Sequence, residues 1–137
     1  MSIEYKSTGS LIDEMITTLL KTTKTTKNKE ENERRWNLLS DAISKRFEKS
    51  PVPIYDERVV DLWQELSETL EACWDAQETV MEFTKPLDCD AAMWVGNAAI
   101  DAQDLNAKRN RLIRELDELL GESDYTQLEK SYDRGDK

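Results

Sequence analysis

The feature that most constrains this chain is a pair of apolar seams in its C-terminal half. Each seam has the alternating steps of three and four residues that are typical of packed helices. In residues 56–84 the seam positions are Val59, Trp63, Leu66, Leu70, Cys73, Gln77 and Val80. In residues 88–120 they are Val95, Ala98, Ala102, Leu105, Arg109, Leu112, Leu116 and Leu119. A strand would alternate every two residues, so the pattern predicts two long helices.

Two shorter helices are predicted in the N-terminal half. The first has a helical apolar stripe from Leu11 to Leu20 and Ser10 as its N-cap. The Lys- and Thr-rich segment 21–27 is either the end of this helix or a helical bridge into the next. The second helix follows Asn28 and stops before the two prolines of residues 50–53, which cannot continue a helix. Its inner face is formed by Trp36, Leu39, Ile43 and Phe47, with Leu38 and Ala42 beside them.

These patterns predict an all-α fold, specifically an antiparallel four-helix bundle with two long C-terminal helices. Residues 10–121 would form one bundle domain, residues 1–9 an N-terminal tail and residues 122–137 a polar C-terminal tail. The chain has only four Gly and three Pro, too few for the turns of a β-sandwich or barrel. Helices of this length also offer a surface for self-association, and a homodimer is one predicted assembly.

The composition narrows the chemistry and the compartment. The chain has no histidine, which excludes His-dependent catalytic triads and the usual histidine metal sites. Its two cysteines, Cys73 and Cys89, form no CxxC motif and lie about three helical turns apart, so we expect reduced thiols rather than a disulfide. No apolar run approaches 18 residues and the N-terminus resembles no signal peptide. We therefore expect a cytoplasmic protein without membrane contacts.

The net charge of −10 is unevenly distributed. Residues 1–49 contain ten Lys and Arg against eight Asp and Glu, whereas residues 50–137 contain nine against 21. Such an acidic chain repels nucleic acid and anionic membranes, so no direct nucleic-acid binding is expected. A protein with a basic surface is the favoured partner.

An acidic stripe along the third predicted helix is the main candidate site. Its members follow one another every three or four residues, opposite the apolar seam: Asp61, Glu65, Glu68, Glu71, Asp75, Glu78 and Glu82. One interpretation is a solvated helix face. Like charges one turn apart, however, each cost a few tenths of a kcal/mol, and lysines that would relieve them are missing from the stripe. The favoured function is therefore a non-enzymatic protein-binding role, with an inhibitor or nucleic-acid mimic of bacterial or phage origin as a specialised version.

Two carboxylate pairs support an alternative function. Glu65 and Glu68 lie one turn apart on the third helix, and Asp101 and Asp104 do so on the fourth. The pairs resemble those of the helical NTP pyrophosphohydrolases, which bind magnesium through carboxylates on two helices. The resemblance implies a Mg²⁺-dependent nucleotide hydrolase, although only the two short pairs of that family's acidic motif are present. The favoured function needs no cofactor, and we assign no catalytic residue.

A basic cluster on the fourth helix has two interpretations. Its candidate anion-binding members are Asn106, Lys108, Arg109 and Arg111. They could hold a phosphate or another anion, with the arginines as forked donors. Alternatively Arg109, which falls on the packing seam, forms a salt bridge to the first or third helix, because a buried guanidinium needs a carboxylate partner.

Two short segments resemble known sequences of unassigned function. Residues 9–14 (GSLIDE) and 105–113 (LNAKRNRLI) are similar to segments of uncharacterised bacterial helical proteins. This resemblance implies a helical bundle and no particular activity.

Overall fold

All secondary structure in the described part of the chain is helical. The structure is a computed structural model that describes residues 3–81 and 89–122. It contains a 3-10 turn at Ile3–Tyr5 and the helices α1 Thr8–Lys24, α2 Lys29–Glu48, α3 Glu57–Met81 and α4 Cys89–Leu119. Across these two ranges no residue lies in a strand. The all-α prediction is confirmed at this level.

The helices share one apolar core. Helix α1 packs against each of the other three, and α3 packs along α4. The buried residues of the core come from all four helices: Leu11, Ile12, Ile16, Leu39, Ile43, Leu66, Leu70, Leu112 and Leu116. Each belongs to a stripe predicted from the sequence, and burying one such side chain contributes about 1.5–3 kcal/mol. Three members of the predicted apolar stripes differ, since Leu19, Leu38 and Gln77 are exposed.

Helix α1 begins earlier than the sequence predicts. Ser7, not Ser10, is the N-cap, and its Oγ accepts a hydrogen bond from the backbone amide of Ser10. Thr8 and Gly9, which the sequence analysis places in the tail, therefore belong to the helix. Asp13 lies beyond the first turn, so it does not act as an acid at the helix N-terminus.

Carboxylates from the end of α4 bind the free amides at the start of α1. The amide of Gly9 donates to Asp117 Oδ1 at 2.9 Å, and the amide of Thr8 donates to Glu122 Oε1 at 2.8 Å. The Thr8 hydroxyl also donates to Glu122 Oε2, at 2.6 Å. The first amides of a helix lack partners within the helix and carry its positive dipole end. Asp117 and Glu122 satisfy these amides and so attach the start of α1 to the end of α4.

The threonines of segment 21–27 hydrogen-bond to the last turns of α1. Thr22, Thr23 and Thr25 each donate a hydroxyl hydrogen bond to a backbone carbonyl three or four residues earlier. The carbonyl of Lys21 also accepts a hydrogen bond from the Thr25 amide, so the hydroxyl bond of Thr25 adds to the backbone hydrogen bonding of the last turn. The helix ends at Lys24, and Asn28 adopts the left-handed conformation with φ 54° before α2 begins. Of the two interpretations of the segment, the end of the first helix is confirmed.

The predicted end of α2 is confirmed, and the end of α4 also has a local cause. Helix α2 ends at Glu48, ahead of the two prolines. Helix α4 ends at Leu119 and is followed by Gly121 with φ 74°, a left-handed conformation that glycine adopts without steric cost. Among the described residues, no helix combines the length and the apolar composition needed to cross a membrane.

Candidate partner-binding face

The acidic face, defined as Asp61, Glu65, Glu68, Glu71, Asp75 and Glu78, lies along α3 away from the core. All of these residues are exposed except Glu65, which is partly buried. Glu82, the seventh predicted member, lies outside the described residues. The arrangement follows from helical geometry, because residues three and four apart share a side of the helix and the apolar seam occupies the opposite side.

The acidic face has little positive charge of its own. Helix α3 contains seven carboxylates and one basic residue, Arg58. The Arg58 guanidinium binds Asp56, at the start of the helix, with Nε 3.1 Å from Oδ1. Hydrogen bonds from the Arg58 side chain and backbone hold the pKa of the Asp56 carboxyl below its usual value. The Arg58 side chain therefore lies at the N-terminal end of α3 and not along the acidic face.

Two lysines from other helices reach the acidic face. Lys24 Nζ, at the end of α1, lies 3.7 Å from Glu71 Oε1 and 3.7 Å from Asp75 Oδ1. Lys108 Nζ, on α4, lies 3.5 Å from Glu65 Oε1. These distances exceed those of a strong charged hydrogen bond, and the side chains are solvent-accessible, so each ion pair contributes about 0–1 kcal/mol. The acidic face therefore stays strongly negative.

Two further members of the acidic face hydrogen-bond within α3. Glu78 accepts a hydrogen bond from the indole Nε1 of Trp74 at 2.7 Å, and Glu68 accepts a long one of 3.5 Å from the Gln64 amide. Neutral donors of this kind orient a carboxylate without removing its charge. Both carboxylates remain exposed.

Arg109 was predicted to form a salt bridge to the first or third helix, and it forms one to the first. Arg109 Nε and Nη2 donate to Asp13 Oδ1 and Oδ2 at 2.7 and 2.6 Å, a two-pronged geometry with one bond to each oxygen. The Asp13 side chain is only 8% exposed. The hydrogen bonds to Asp13 raise the pKa of the Arg109 guanidinium further, against the opposing effect of burial. This pair joins α1 to α4 inside the molecule.

The other members of the basic cluster have different surroundings. Lys108 pairs with Glu65, and Asn106 Oδ1 lies 4.0 Å from the thiol of Cys73. Arg111 is exposed. The four candidate anion-binding residues thus have different surroundings, and two of the Arg109 donors are already bound to a carboxylate.

Cys73 is a reduced thiol in the core. Burial raises the pKa of this thiol, and the nearby Arg109 charge only partly offsets that effect. A thiol with a raised pKa carries little thiolate at neutral pH and is a weak nucleophile. Cys73 therefore acts as a small core residue, and the side chain of Cys89 lies outside the described residues.

The four carboxylates of the alternative magnesium site do not form a recognisable metal site. Glu68, Asp101 and Asp104 are exposed, and Glu65 faces Lys108. Within residues 3–81 and 89–122, no group of three or more Cys, Asp or Glu side chains is placed to hold a metal ion.

Sequence reasoning missed a second charged network, between α1 and α2. Glu14 accepts a bond from Lys6 Nζ at 2.7 Å through Oε1 and from Arg35 Nη2 at 2.6 Å through Oε2. Partial burial alone would raise the pKa of Glu14, but the hydrogen bonds and charges of Lys6 and Arg35 outweigh it and the pKa is lowered. No spacing rule links residues 6, 14 and 35, so only the fold reveals this network.

Comparisons with known proteins add no residue assignments. A scan against models of protein families and searches of curated proteins and of solved structures find no match to this chain. The residue roles given above derive from the contacts of this chain alone.

Proposed function

We propose that this protein is a non-enzymatic binding protein whose acidic face contacts a basic surface on another protein. The observation that carries the proposal is the row of exposed carboxylates along one side of α3: Asp61, Glu68, Glu71, Asp75 and Glu78. The described lysines that reach this row do so at 3.5–3.7 Å and through exposed side chains. A row of like charges destabilises its own helix slightly, and a basic partner would relieve that cost.

The proposal extends to the architecture and setting of the protein. We propose an antiparallel four-helix bundle, with α3 and α4 as its long C-terminal helices and α1 to α4 together as one domain. Two hydrogen-bonded pairs between α1 and α4 support this arrangement: Gly9 with Asp117, and Asp13 with Arg109. The second pair lies further along α1 but earlier along α4, as expected for antiparallel helices. A cytoplasmic location and a homodimer belong to the same proposal. An inhibitor that mimics nucleic acid remains its specialised version, since a row of carboxylates resembles a row of phosphates in charge.

The proposal is tested by affinity capture from cytosol with three baits. The first is the wild-type protein, and the second carries Glu68→Lys, Glu71→Lys and Asp75→Lys. The third is a matched control with the same change in net charge on exposed carboxylates of other helices: Glu33→Lys, Glu115→Lys and Glu118→Lys. Far-UV circular dichroism establishes that all three baits have the same helix content.

We expect a partner that both the wild-type and the control bait retain, that the acidic-face variant loses, and that elutes as salt rises. Salt screens charges beyond about 10 Å at 0.1 M ionic strength, so elution by salt reports an electrostatic contact. A partner retained equally by the acidic-face variant would refute the assignment of the surface. A partner lost from both variants would show that net charge, rather than this face, determines binding.

The magnesium-dependent nucleotide hydrolase remains the alternative prediction and is separated by a thermal-shift measurement with Mg²⁺ and Mn²⁺. A metal-induced rise in melting temperature that disappears with Glu68→Gln or Asp104→Asn would favour the hydrolase. No metal-induced shift in the wild-type protein would reject it.

A further inference from the structure

One cation already occupies part of the acidic face. Lys24 Nζ is equally distant, at 3.7 Å, from Glu71 Oε1 and Asp75 Oδ1. These two carboxylates are four residues apart and neighbours on the same side of α3. A lysine or arginine of a basic partner that contacted this part of the acidic face would compete for the same two oxygens. Under the proposed function, a cation of the partner would bind at this position. Lys24 already occupies it.

The contact is one that a partner could displace at low cost. The Glu71 and Asp75 side chains are 58% and 62% exposed, and the Lys24 side chain is 31% exposed. Ion pairs between such accessible side chains are worth about 0.2–1 kcal/mol. Lys24 is also the last residue of α1, so moving its side chain away need not disturb a following turn of helix.

The end of α1 holds Lys24 near the acidic face independently of that ion pair. The hydroxyl of Thr25 donates to the carbonyl of Lys21 at 3.0 Å, and the Thr25 amide donates to the same carbonyl at 3.1 Å. These bonds close the last turn, which keeps the backbone at Lys24 in place when its side chain rotates. A lysine at a helix C-terminus also interacts favourably with the helix dipole, so the Lys24 ammonium keeps this stabilising interaction after it leaves the two carboxylates.

We infer that Lys24 is an intramolecular substitute for one cationic side chain of the partner, and that it weakens partner binding until it is displaced. This inference rests on the proposed function. It assigns a regulatory role to the Lys- and Thr-rich segment 21–27, in which three threonines hydrogen-bond to the last turns of α1 and one lysine contacts Glu71 and Asp75. The chemistry that would compete with Lys24 is an exposed lysine or arginine, not a metal ion or an apolar group.

The test is the binding of fluorescein-labelled octalysine, measured by fluorescence anisotropy at low ionic strength. Lys24→Gln removes the internal cation and keeps a polar side chain of similar length. Lys27→Gln is the matched control, because Lys27 is an exposed lysine of the connection after α1 and its removal changes the net charge equally. The acidic-face variant (Glu68→Lys, Glu71→Lys, Asp75→Lys) completes the set.

We expect Lys24→Gln to bind octalysine about two- to fivefold more tightly than Lys27→Gln, as the release of an exposed ion pair predicts. Equal affinities of these two variants, with the wild-type protein binding and the acidic-face variant not binding, would overturn this inference and leave the proposed function standing. Failure of both the wild-type protein and Lys24→Gln to bind would overturn both. Binding of octalysine by the acidic-face variant as tight as by the wild-type protein would also overturn both the inference and the proposed function.

Discussion

Replacing Gly9 by alanine should destabilise the protein, although alanine is the better helix former. A Cβ at residue 9 would lie 2.6 Å from Asp117 Oδ1 and 2.7 Å from the backbone carbonyl oxygen of Ile113. The carboxylate could rotate away, but the carbonyl belongs to the backbone of α4 and cannot. Helix α1 would have to move away from α4, and its movement would lengthen the hydrogen bond from the Gly9 amide to Asp117.

The sizes of the opposing energy terms decide whether Gly9→Ala raises or lowers the free energy of unfolding. Alanine in place of glycine within a helix gains at most about 1 kcal/mol. Forcing an extra carbon into a packed contact costs about 1–3 kcal/mol. Asp117 is fully buried, and weakening a hydrogen bond to a buried charged group costs about 1–3 kcal/mol more. Together these terms predict a loss of about 3 kcal/mol in the free energy of unfolding.

The assay is urea unfolding followed by circular dichroism at 222 nm. With a slope of about 2 kcal/mol per molar urea, the midpoint of Gly9→Ala should fall by about 1.5 M. Ser44→Ala is the control, since Ser44 is exposed on α2 and gains helix propensity without a clash. Its midpoint should be unchanged or slightly higher. A Gly9→Ala midpoint at or above that of the wild-type protein would refute the close contact between α1 and α4.

Three other predictions follow from the charged and buried groups. Arg109→Leu should lower the free energy of unfolding by about 3 kcal/mol, because it leaves the buried Asp13 unpaired, and adding Asp13→Leu should restore most of it; a single variant as stable as the double one would contradict the pair. Because the pKa of Glu14 lies below its ordinary value of 4.5 in the folded protein, its ion pairs stabilise the fold above that pH and the stabilisation is lost as the pH falls through the lowered pKa. Glu14→Gln should therefore be less stable than the wild-type protein at pH 6, with a smaller difference at pH 3; a constant difference would argue against the charge effect. In a Cys89→Ser background, Cys73 should react with a disulfide reagent at pH 8 far more slowly in the folded than in the urea-unfolded protein, and equal rates would show that the thiol is accessible.

The periodic features of the fold were predictable from the sequence because they are local. Leu66, Leu70, Leu112 and Leu116 recur at helical spacing, and burial of one helix side requires only that period. The ends of α2 and α4 were equally predictable, since proline and left-handed glycine act on their own neighbourhood.

The contacts that fix α1 depend on residues distant in the chain, and the sequence alone could not reveal them. Ser7 and Ser10 are both acceptable N-caps, and local preference does not choose between them. The choice is coupled to Asp117, which is 108 positions from Gly9 and binds its amide. In the same way, the need of Arg109 for a carboxylate was predictable, but the identity of that carboxylate, Asp13, came only from the packing of α1 on α4.

The candidate site was predictable in its composition but not in its internal contacts. Helical spacing alone places Glu68, Glu71 and Asp75 on one side of α3. That Lys24 reaches between two of them depends on where α1 ends and on how α1 packs against α3. Side chains with alternative rotamers and long reach, such as lysine, are placed by tertiary structure rather than by sequence spacing.

The most direct test of the central claim is carboxyl footprinting of the protein in complex with its captured partner. Carbodiimide-coupled labelling of exposed carboxylates is read by mass spectrometry with and without the partner. We expect Glu68, Glu71 and Asp75 to be protected in the complex, whereas Glu115 and Glu118 should label equally in both states. Unchanged labelling of the acidic face, with protection on α4 instead, would contradict this expectation.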